Sequence, residues 1–227
     1  MIAMNMTCYN RPSYLRTTLS SLMKSNIPED TYLYITDDCS SNLETLDILN
    51  SIKSVGKLTV NINRRKNHVG ITKNVLDGLK HCFDKSGSDF VIALNSDCVF
   101  NPSWLVKLLD AKIKLADRNI GAITAFNMQY TGDKVKQDYN HTIITTLSNG
   151  IRVKDSCSGF CTMINRDVFS TLGNIKDHWD CRYVDRCRTM KYGIFCTDKS
   201  YVQHIGIDGI HTRSNNEIDV AIDFVGV

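Results

Sequence analysis

A short apolar run, Phe90 to Leu94, ends abruptly in the polar sequence Asn95-Ser96-Asp97 and constrains the fold more than any other stretch of the chain. An uninterrupted apolar run of this length is typical of a strand buried on both faces, as in a parallel sheet covered by helices. Pro102 follows where a helix would begin, with Asn101 as its candidate N-cap. Asp97 is therefore expected in the loop after a central strand, which is where open α/β sheets bind ligands.

The Asp97 carboxylate has two possible roles in this loop. A lone carboxylate at such a position is well placed to hold a hard divalent cation, which could carry the phosphates of a nucleotide. It could equally cap the helix that follows. The residues around it leave both roles open.

The first half of the chain alternates short apolar strands with helical patterns, and each predicted strand ends in a short polar loop. Such alternation predicts an α/β fold with a mostly parallel central sheet, right-handed crossovers and helices on both faces. The predicted strands are Ile2 to Met6, Tyr32 to Thr36, Leu58 to Ile62, Phe90 to Leu94 and Ile120 to Phe126.

The second half of the chain is less regular. The pair Asn149-Gly150 between two apolar segments predicts a hairpin. Because the 227 residues contain no linker, repeat or low-complexity tract, we predict one domain in which residues 1–126 and 127–227 have different roles. The other predicted elements are strands over Cys157 to Ile164, with Gly159 inside it, and Tyr201 to Ile205, and helices over Asp167 to Leu172 and Tyr183 to Tyr192.

The composition, 42% hydrophobic and 22% charged residues, is ordinary for a folded globular protein. No apolar segment is long enough to span a membrane, and the N-terminus lacks the features of a secretory signal. These observations predict a cytoplasmic protein whose nine cysteines are reduced. The net charge of +3 is too small to indicate nucleic-acid binding by itself. A zinc site is conceivable at Cys157, Cys161, Cys181 and Cys187, although their spacings fit no common zinc motif.

Four motifs, in order along the chain, resemble the nucleotide-sugar-binding half of glycosyltransferase family 2, and the resemblance extends over nearly the whole chain. It implies the GT-A (Rossmann-like) fold, with a smaller β element on the acceptor side. TCYNRPSYL at 7–15 is similar to the family's opening motif, TDDCSSN at 36–42 to its acidic turn, RKNHVGITKNVLDGL at 65–79 to its Asn-x-x-Gly segment, and NSDC at 95–98 to its metal-binding DXD loop.

The resemblance implies roles at the donor site. Thr7 and Tyr9 would line the nucleotide base, Arg11 would lie near the diphosphate, and Asp38, in preference to Asp37, would accept a hydrogen bond from uracil or an equivalent imide. The complete set of donor-binding residues implied is Thr7, Tyr9, Arg11, Asp38, Lys73, Ser96 and Asp97.

The same resemblance implies a Mn²⁺ or Mg²⁺ ion held by Asp97. His204, in the segment YVQHIG at 201–206, could complete the metal shell, although a histidine on a strand is often structural. The chain departs from the DXD pattern at Asn95, where the family has an acid. One carboxylate fewer predicts weaker cation binding in the absence of the nucleotide diphosphate.

On the acceptor side, Ser158-Gly159-Phe160 resembles the small-residue strand that borders the acceptor pocket. The resemblance implies inversion at the anomeric carbon by single displacement, which needs a carboxylate that takes the proton of the acceptor hydroxyl. Asp180 is the first candidate, because Trp179 before it could stack on a sugar and limit solvation of the acid, and Asp185 is the second. The family's usual Glu-Asp pair is absent from this segment, and either acid could instead form an exposed ion pair with a nearby arginine. Asp177 is a third candidate.

The sequence therefore predicts an inverting, metal-dependent glycosyltransferase that uses a nucleotide-diphospho sugar, with a UDP-sugar the preferred donor. A nucleotidylyltransferase is an alternative, but its first loop should be glycine-rich, which TCYNRP is not. A non-catalytic nucleotide- or sugar-binding module is another, and Asn95 favours it. The acceptor stays open among a glycan, a protein, a lipid-linked sugar and a modified DNA base. The tail from Ile207, with His211 and Arg213, is predicted to be a lid over the donor or an unstructured end.

Overall fold

The computed structural model describes residues 1–52, 54–55, 57–128, 141–207 and 220–227. They form one large mixed sheet, a separate two-stranded sheet and six helices. The strands are β1 (Ile2–Cys8), β2 (Thr31–Asp37), β3 (Ser54–Val55), β4 (Leu58–Arg64), β5 (Phe90–Asn95), β6 (Cys98–Phe100), β7 (Ile120–Thr124), β8 (Ile143–Thr146), β9 (Arg152–Lys154), β10 (Thr162–Asn165), β11 (Gly193–Cys196) and β12 (Val202–His204). The helices are α1 (Pro12–Met23), α2 (Leu43–Ser51), α3 (Ile71–Ser86), α4 (Trp104–Lys114), α5 (Arg166–Ser170) and α6 (Trp179–Thr189).

The large sheet has the strand order β3-β4-β2-β1-β5-β10-β7-β11-β9-β8. Its core is parallel, since β4, β2, β1 and β5 run in the same direction. β10 is antiparallel to both of its neighbours, β5 and β7. The predicted α/β class with a mostly parallel sheet is therefore confirmed. Besides β10 near the middle, β3 and β9 also run in the reverse direction.

Two hydrophobic clusters cover the two faces of this sheet. Successive β1 residues divide between them: Ala3 belongs to one cluster and Met4 to the other, as expected because neighbouring side chains in a strand point to opposite faces. Helices α1, α2 and α4 contribute to the cluster that contains Met4, whereas α3, α5 and α6 contribute to the other. The helices thus lie on both faces, and the polar loops are left at the strand ends.

The register of the parallel strands brings three of these loops together. Cys8 pairs with Asp37 across β1 and β2, and Thr7 pairs with Asn95 across β1 and β5. The carboxyl ends of these strands consequently lie at the same edge of the sheet. This edge carries the residues predicted to bind the donor.

Several predicted boundaries were wrong. After β5 the chain turns directly into β6, and α4 begins at Trp104, so Asn101 is not its N-cap; instead the Asn101 side chain accepts the backbone N–H of Ser103. Gly159 lies in a loop and not inside a strand, because β10 begins only at Thr162. The helix predicted from Tyr183 begins four residues earlier, at Trp179.

The last strand, β12, pairs with β6 in the separate two-stranded sheet and not with the large one. In this antiparallel pair His204 lies opposite Cys98. No helix among the described residues is long and apolar enough to cross a membrane. The predicted cytoplasmic location stays a prediction.

Candidate active site

Asp97 lies in the tight turn between β5 and β6 and is almost completely buried. Its Oδ2 atom accepts a hydrogen bond from Arg11 Nη1 at 2.8 Å and lies 3.3 Å from His204 Nε2. Asp97 therefore joins residues from the β1–α1 loop, the β5–β6 turn and β12. It contacts these two side chains and does not cap the helix that follows, which was the alternative role for its carboxylate.

Local structure aims the side chains of Arg11 and His204 at Asp97. Asn10 and Arg11 both have left-handed backbone conformations, with φ of 51° and 59°, and Pro12 then begins α1. The Arg11 guanidinium lies 4.3 Å from the centre of the Tyr14 ring. His204 is held by the β6–β12 pairing and by Phe160, whose ring stacks on the imidazole with centroids 4.7 Å apart.

The electrostatics keep Asp97 ionised. Burial alone raises the pKa of a carboxyl group, but the hydrogen bonds and positive charges supplied by His204 and Arg11 outweigh it and hold the pKa of Asp97 below its ordinary value of 3.8. The carboxylate is thus negative at neutral pH.

Several polar atoms of this cluster are buried without a hydrogen-bond partner among the described residues. They are Asp97 Oδ1, His204 Nδ1, and Nε and Nη2 of Arg11. Buried polar groups in native proteins are almost always satisfied, so their convergence indicates a place where a ligand supplies the missing contacts. The Gly206 backbone approaches closely as well, since a Cβ there would lie 2.3 Å from Asp97 Oδ2.

The second loop is organised by Asp37 and Asp38. Asp38 is buried, and its two carboxylate oxygens accept the backbone N–H groups of Val69 and Gly70 at 2.8 and 2.9 Å. These contacts fix the start of α3 against the end of β2. Asp37 is also buried and accepts hydrogen bonds from Ser40 within its own turn. Asp38 therefore has a structural task in addition to its predicted role at the base.

Tyr9 and His68 form an aromatic pair beside Asp38. Their ring centroids are 4.5 Å apart, and His68 Nδ1 lies 3.0 Å from Asp38 Oδ2. Tyr9 is 40% exposed, and His68 is also exposed. Thr7, in contrast, is buried within the paired end of β1. An exposed aromatic pair next to a carboxylate offers both stacking and hydrogen bonding to a planar ring.

The residue-based prediction missed two contributors to this edge, His68 and Asn10. Asn10 Oδ1 accepts the backbone N–H groups of Ser41 and Asn42, both at 2.9 Å, and so ties the first loop to the second. Asparagine before Arg-Pro is a recognisable turn signal, because its side chain tolerates the left-handed conformation and bonds nearby backbone. That signal could have identified Asn10.

Lys73 and Ser96 lie less centrally. Lys73 is exposed on the first turn of α3 and forms an ion pair with Asp77, Nζ to Oδ2, at 3.0 Å. Ser96 is half-buried next to Asp97 and lies near the Cys8 thiol. Burial, together with the Asp37 charge, raises the pKa of that thiol to about 12, so it stays protonated.

The three acidic candidates near α6 differ in their surroundings. Asp180 is half-buried in the first turn, where its Oδ1 accepts the N–H of Cys181 at 3.0 Å. Asp185 lies further along the helix, and its Oδ1 is 3.8 Å from Arg188 Nη1. Asp177 precedes the helix and is exposed. The exposed ion pair considered above thus involves Asp185.

A continuous set of contacts links Asp180 to Asp97. A Cβ on Gly159 would lie 3.3 Å from Asp180 Cβ and 2.7 Å from the Trp179 ring, so the Gly159 loop packs directly against the start of α6. Phe160, next in the chain, stacks on His204, which contacts Asp97. The structure thereby brings Asp180 into packing contact with this loop.

The residues fit a metal ion only if it arrives with other ligands. Among the described residues no group of three or more His, Cys, Asp and Glu side chains could hold a metal. The four cysteines considered for zinc are all described, so they do not form such a group. Asp97 and His204 could supply two ligands, with Asp97 Oδ1 still unpartnered. Mg²⁺ characteristically binds through one or two carboxylates, with substrate phosphates and water completing its shell. The predicted lid residues His211 and Arg213 lie outside the described residues.

Solved structures with this fold include TarS and the mannosyltransferase PcManGT. Staphylococcus aureus TarS 1–349 in complex with UDP-GlcNAc has a TM-score of 0.65 and 20% identity, with 94% of this chain and 60% of that chain covered. The mannosyltransferase PcManGT from Pyrobaculum calidifontis, in complex with GDP-Man and Mn²⁺, has a TM-score of 0.60 and 14% identity, with 87% and 56% covered. The chain thus spans about three fifths of the length of these structures.

Sequence comparison assigns the family. No curated protein gives a significant match. The family model described as Glycosyl transferase family 2 matches residues 5–173, well over half of the chain and all four motifs described above. The chain belongs to glycosyltransferase family 2.

Proposed function

We propose that this protein is an inverting, metal-dependent glycosyltransferase that moves a sugar from a nucleotide-diphospho donor to an acceptor hydroxyl. The observation that carries the proposal is the cluster of Asp97, Arg11 and His204, which combines a buried carboxylate with unpartnered buried donors and acceptors. It lies where open α/β sheets bind ligands, at the carboxyl ends of parallel strands. Family membership and the nucleotide sugars held by TarS and PcManGT support the same class of donor.

In this proposal residues 1–126 bind the donor. Tyr9 and His68 stack on the base, with Thr7 lining it, while Asp38 accepts a hydrogen bond from its imide. Arg11 binds the diphosphate through its fork of N–H groups. Asp97 and His204 hold Mn²⁺ or Mg²⁺, which when bound neutralises the charge on the leaving diphosphate. A UDP-sugar is the preferred donor.

Residues 127–227 bind the acceptor, and Asp180 is the proposed general base. The acceptor oxygen forms a bond to the anomeric carbon while the bond from that carbon to the diphosphate oxygen breaks. Asp180 takes the proton of the acceptor hydroxyl. Its packing contact with the Gly159 loop supports this role, whereas Asp185 lies next to Arg188.

Hydrolysis of the donor by water tests the proposal without knowledge of the acceptor. The purified protein is incubated with UDP-, GDP-, ADP- and CDP-sugars, with Mn²⁺ or with EDTA, and released nucleoside diphosphate is measured. We expect release from a UDP-sugar that depends on Mn²⁺. Asp97→Asn should lower it by about 10²-fold or more, the scale of a group that stabilises charge in the transition state. Asp117→Asn, on an exposed ion pair with Arg118, is the control.

Thermal-shift measurements with the same nucleotides separate the alternatives. If no nucleoside diphosphate or nucleotide sugar raises the melting temperature and none is hydrolysed, the proposal fails. A nucleotide that stabilises the protein but is never turned over would favour a non-catalytic binding module. Release of pyrophosphate from a nucleoside triphosphate and a sugar phosphate would identify a nucleotidylyltransferase.

A further inference from the structure

Arg11 occupies one oxygen of the carboxylate that is proposed to hold the metal. We propose that Arg11 acts as a counter-ion to Asp97 that excludes divalent cations from the site until the diphosphate of the donor draws its guanidinium away. Binding of the metal is then conditional on the nucleotide. This inference rests on the proposed function and adds that the nucleotide must bind before the metal does.

The charges around Asp97 support the exclusion. Its Oδ2 atom accepts from Arg11 Nη1 at 2.8 Å, and the same oxygen is 3.3 Å from His204 Nε2. No second acid joins Asp97 to form a metal-binding group within the described parts of the chain. One carboxylate neutralised by one guanidinium gives a divalent cation no net attraction, and a cation beside the guanidinium would be repelled by it.

Steric crowding supports the exclusion as well. A Cβ on Gly206 would lie 2.3 Å from Asp97 Oδ2 and 2.8 Å from Arg11 Nη2, so the backbone closes tightly around the ion pair. The Asp97 side chain is only 10% exposed. A metal ion with its water ligands needs more space around Oδ2 than this arrangement leaves while the guanidinium is there.

Arg11 is able to exchange its partner. Its Nε and Nη2 atoms are buried without a hydrogen-bond partner among the described residues, although its side chain as a whole is 31% exposed. The planar guanidinium fork matches phosphate oxygens as well as it matches a carboxylate. A diphosphate carries more negative charge than Asp97, so it can draw Arg11 away and leave both carboxylate oxygens for the cation.

The consequence is positive coupling between the two ligands. If the nucleotide removes Arg11 from Asp97, the nucleotide raises the affinity for Mn²⁺, and Mn²⁺ must raise the affinity for the nucleotide by the same factor. The opposite arrangement, in which Arg11 stays on Asp97 and takes the place of the metal, predicts no such coupling. Direct measurement of metal binding distinguishes these two arrangements of Arg11.

Electron paramagnetic resonance of free Mn²⁺ gives its affinity without any catalytic assay. It is measured for the wild-type protein, Arg11→Gln and Arg16→Gln, each alone and with UDP or GDP. Arg16 also lies on α1, but its guanidinium is exposed and pairs with Glu44, so it is the matched control. We expect the nucleotide to tighten Mn²⁺ binding to the wild type by about tenfold or more. Arg11→Gln alone should bind Mn²⁺ at least about tenfold more tightly than the wild type, with Arg16→Gln unchanged.

Arg11→Lys keeps the positive charge and tests whether that charge is what weakens Mn²⁺ binding in the absence of nucleotide. It should bind Mn²⁺ alone as weakly as the wild type. Equal Mn²⁺ affinity for wild type and Arg11→Gln, or equal affinity with and without a bound nucleotide, overturns the inference. If the Gln variant does not fold, Arg11→Met, which also removes the positive charge, takes its place in the same comparison. Failure of any nucleotide to bind, with or without Mn²⁺, would instead overturn the proposed function.

Discussion

The loops proposed to bind the donor and the segment proposed to supply the base are held in place in different ways. Loops on the donor side are fixed by hydrogen bonds between distant segments, as where Asp38 accepts two backbone N–H groups from the start of α3 and Asn10 accepts two from the turn after β2. On the acceptor side, Asp180 has one local hydrogen bond and otherwise relies on packing against Gly159. The comparison indicates preorganised loops where the donor is proposed to bind, beside a proposed base whose position depends on tight packing.

Like the Asp97 cluster, the loop next to Asp180 contains an unsatisfied buried group. Ser158, in the same loop as Gly159, has a buried hydroxyl without a hydrogen-bond partner among the described residues. A buried hydroxyl that lacks a partner costs free energy unless a ligand or water pairs with it. If the two regions act separately, changes on the acceptor side should alter turnover and leave nucleotide binding intact.

The largest effect is expected for Asp180→Asn. Removing a general base should lower the rate of transfer by about 10²–10⁴-fold, with nucleotide affinity unchanged. Turnover with an identified acceptor and thermal shift with UDP measure the two quantities. Asp185→Asn is the control, since that acid lies on the same helix beside Arg188. Full activity of Asp180→Asn would exclude it as the base, and a large loss in Asp185→Asn would exchange the two assignments.

The donor side was the more predictable region, for a physical reason. Its strands are continuous apolar runs that end in polar loops, and parallel strands bring their carboxyl ends to one edge, so the position of Asp97 after β5 followed from local patterns. The contact between Asp97 and His204 did not follow from local patterns. That contact requires β12 to pair with β6, residues about a hundred positions apart, and no local pattern records such a pairing.

The acceptor side was less predictable because its local signals are weak. Helix α6 begins after His178, which has a left-handed backbone and makes no side-chain cap, so nothing in the sequence marks the start of the helix before Trp179. The segment from Cys157 to Ile164 was predicted to be one strand, but β10 begins only at Thr162, and Gly159 lies in a loop that packs against the start of α6. Tertiary packing determined both the start of α6 and the conformation of the Gly159 loop.

The next largest effect is expected for Asp38→Ala, which tests the preorganised side. The substitution leaves the N–H groups of Val69 and Gly70 without their acceptors and should destabilise the fold by about 2 kcal/mol. For a chain of this size that lowers the melting temperature by about 4–8 °C. Asp38→Asn, which keeps one acceptor oxygen, should lose less. An unchanged melting temperature in Asp38→Ala would show that these hydrogen bonds do not hold the donor loops.

A smaller effect is expected for Gly159→Ala, which tests the packing on the acceptor side. The added methyl group would come within 2.7 Å of the buried Trp179 ring and push on Asp180. A displacement of a few tenths of an ångström should lower kcat by about tenfold and leave the KM for the nucleotide sugar unchanged. Equal losses in kcat and in nucleotide affinity would show that the two regions are not separable.

The smallest effect is expected for Lys73→Gln on the donor side. Lys73 is predicted to lie near the base or phosphates, yet its ammonium group is exposed and already paired with Asp77. An exposed charge contributes little and is screened by salt, so we expect about a twofold loss of UDP affinity at low ionic strength. The loss should disappear at high salt, as measured by calorimetric titration at both salt concentrations. A loss above about tenfold that persists at high salt would instead mean that Lys73 leaves Asp77 and binds the donor directly, so that the donor site also forms partly by exchange of ion-pair partners.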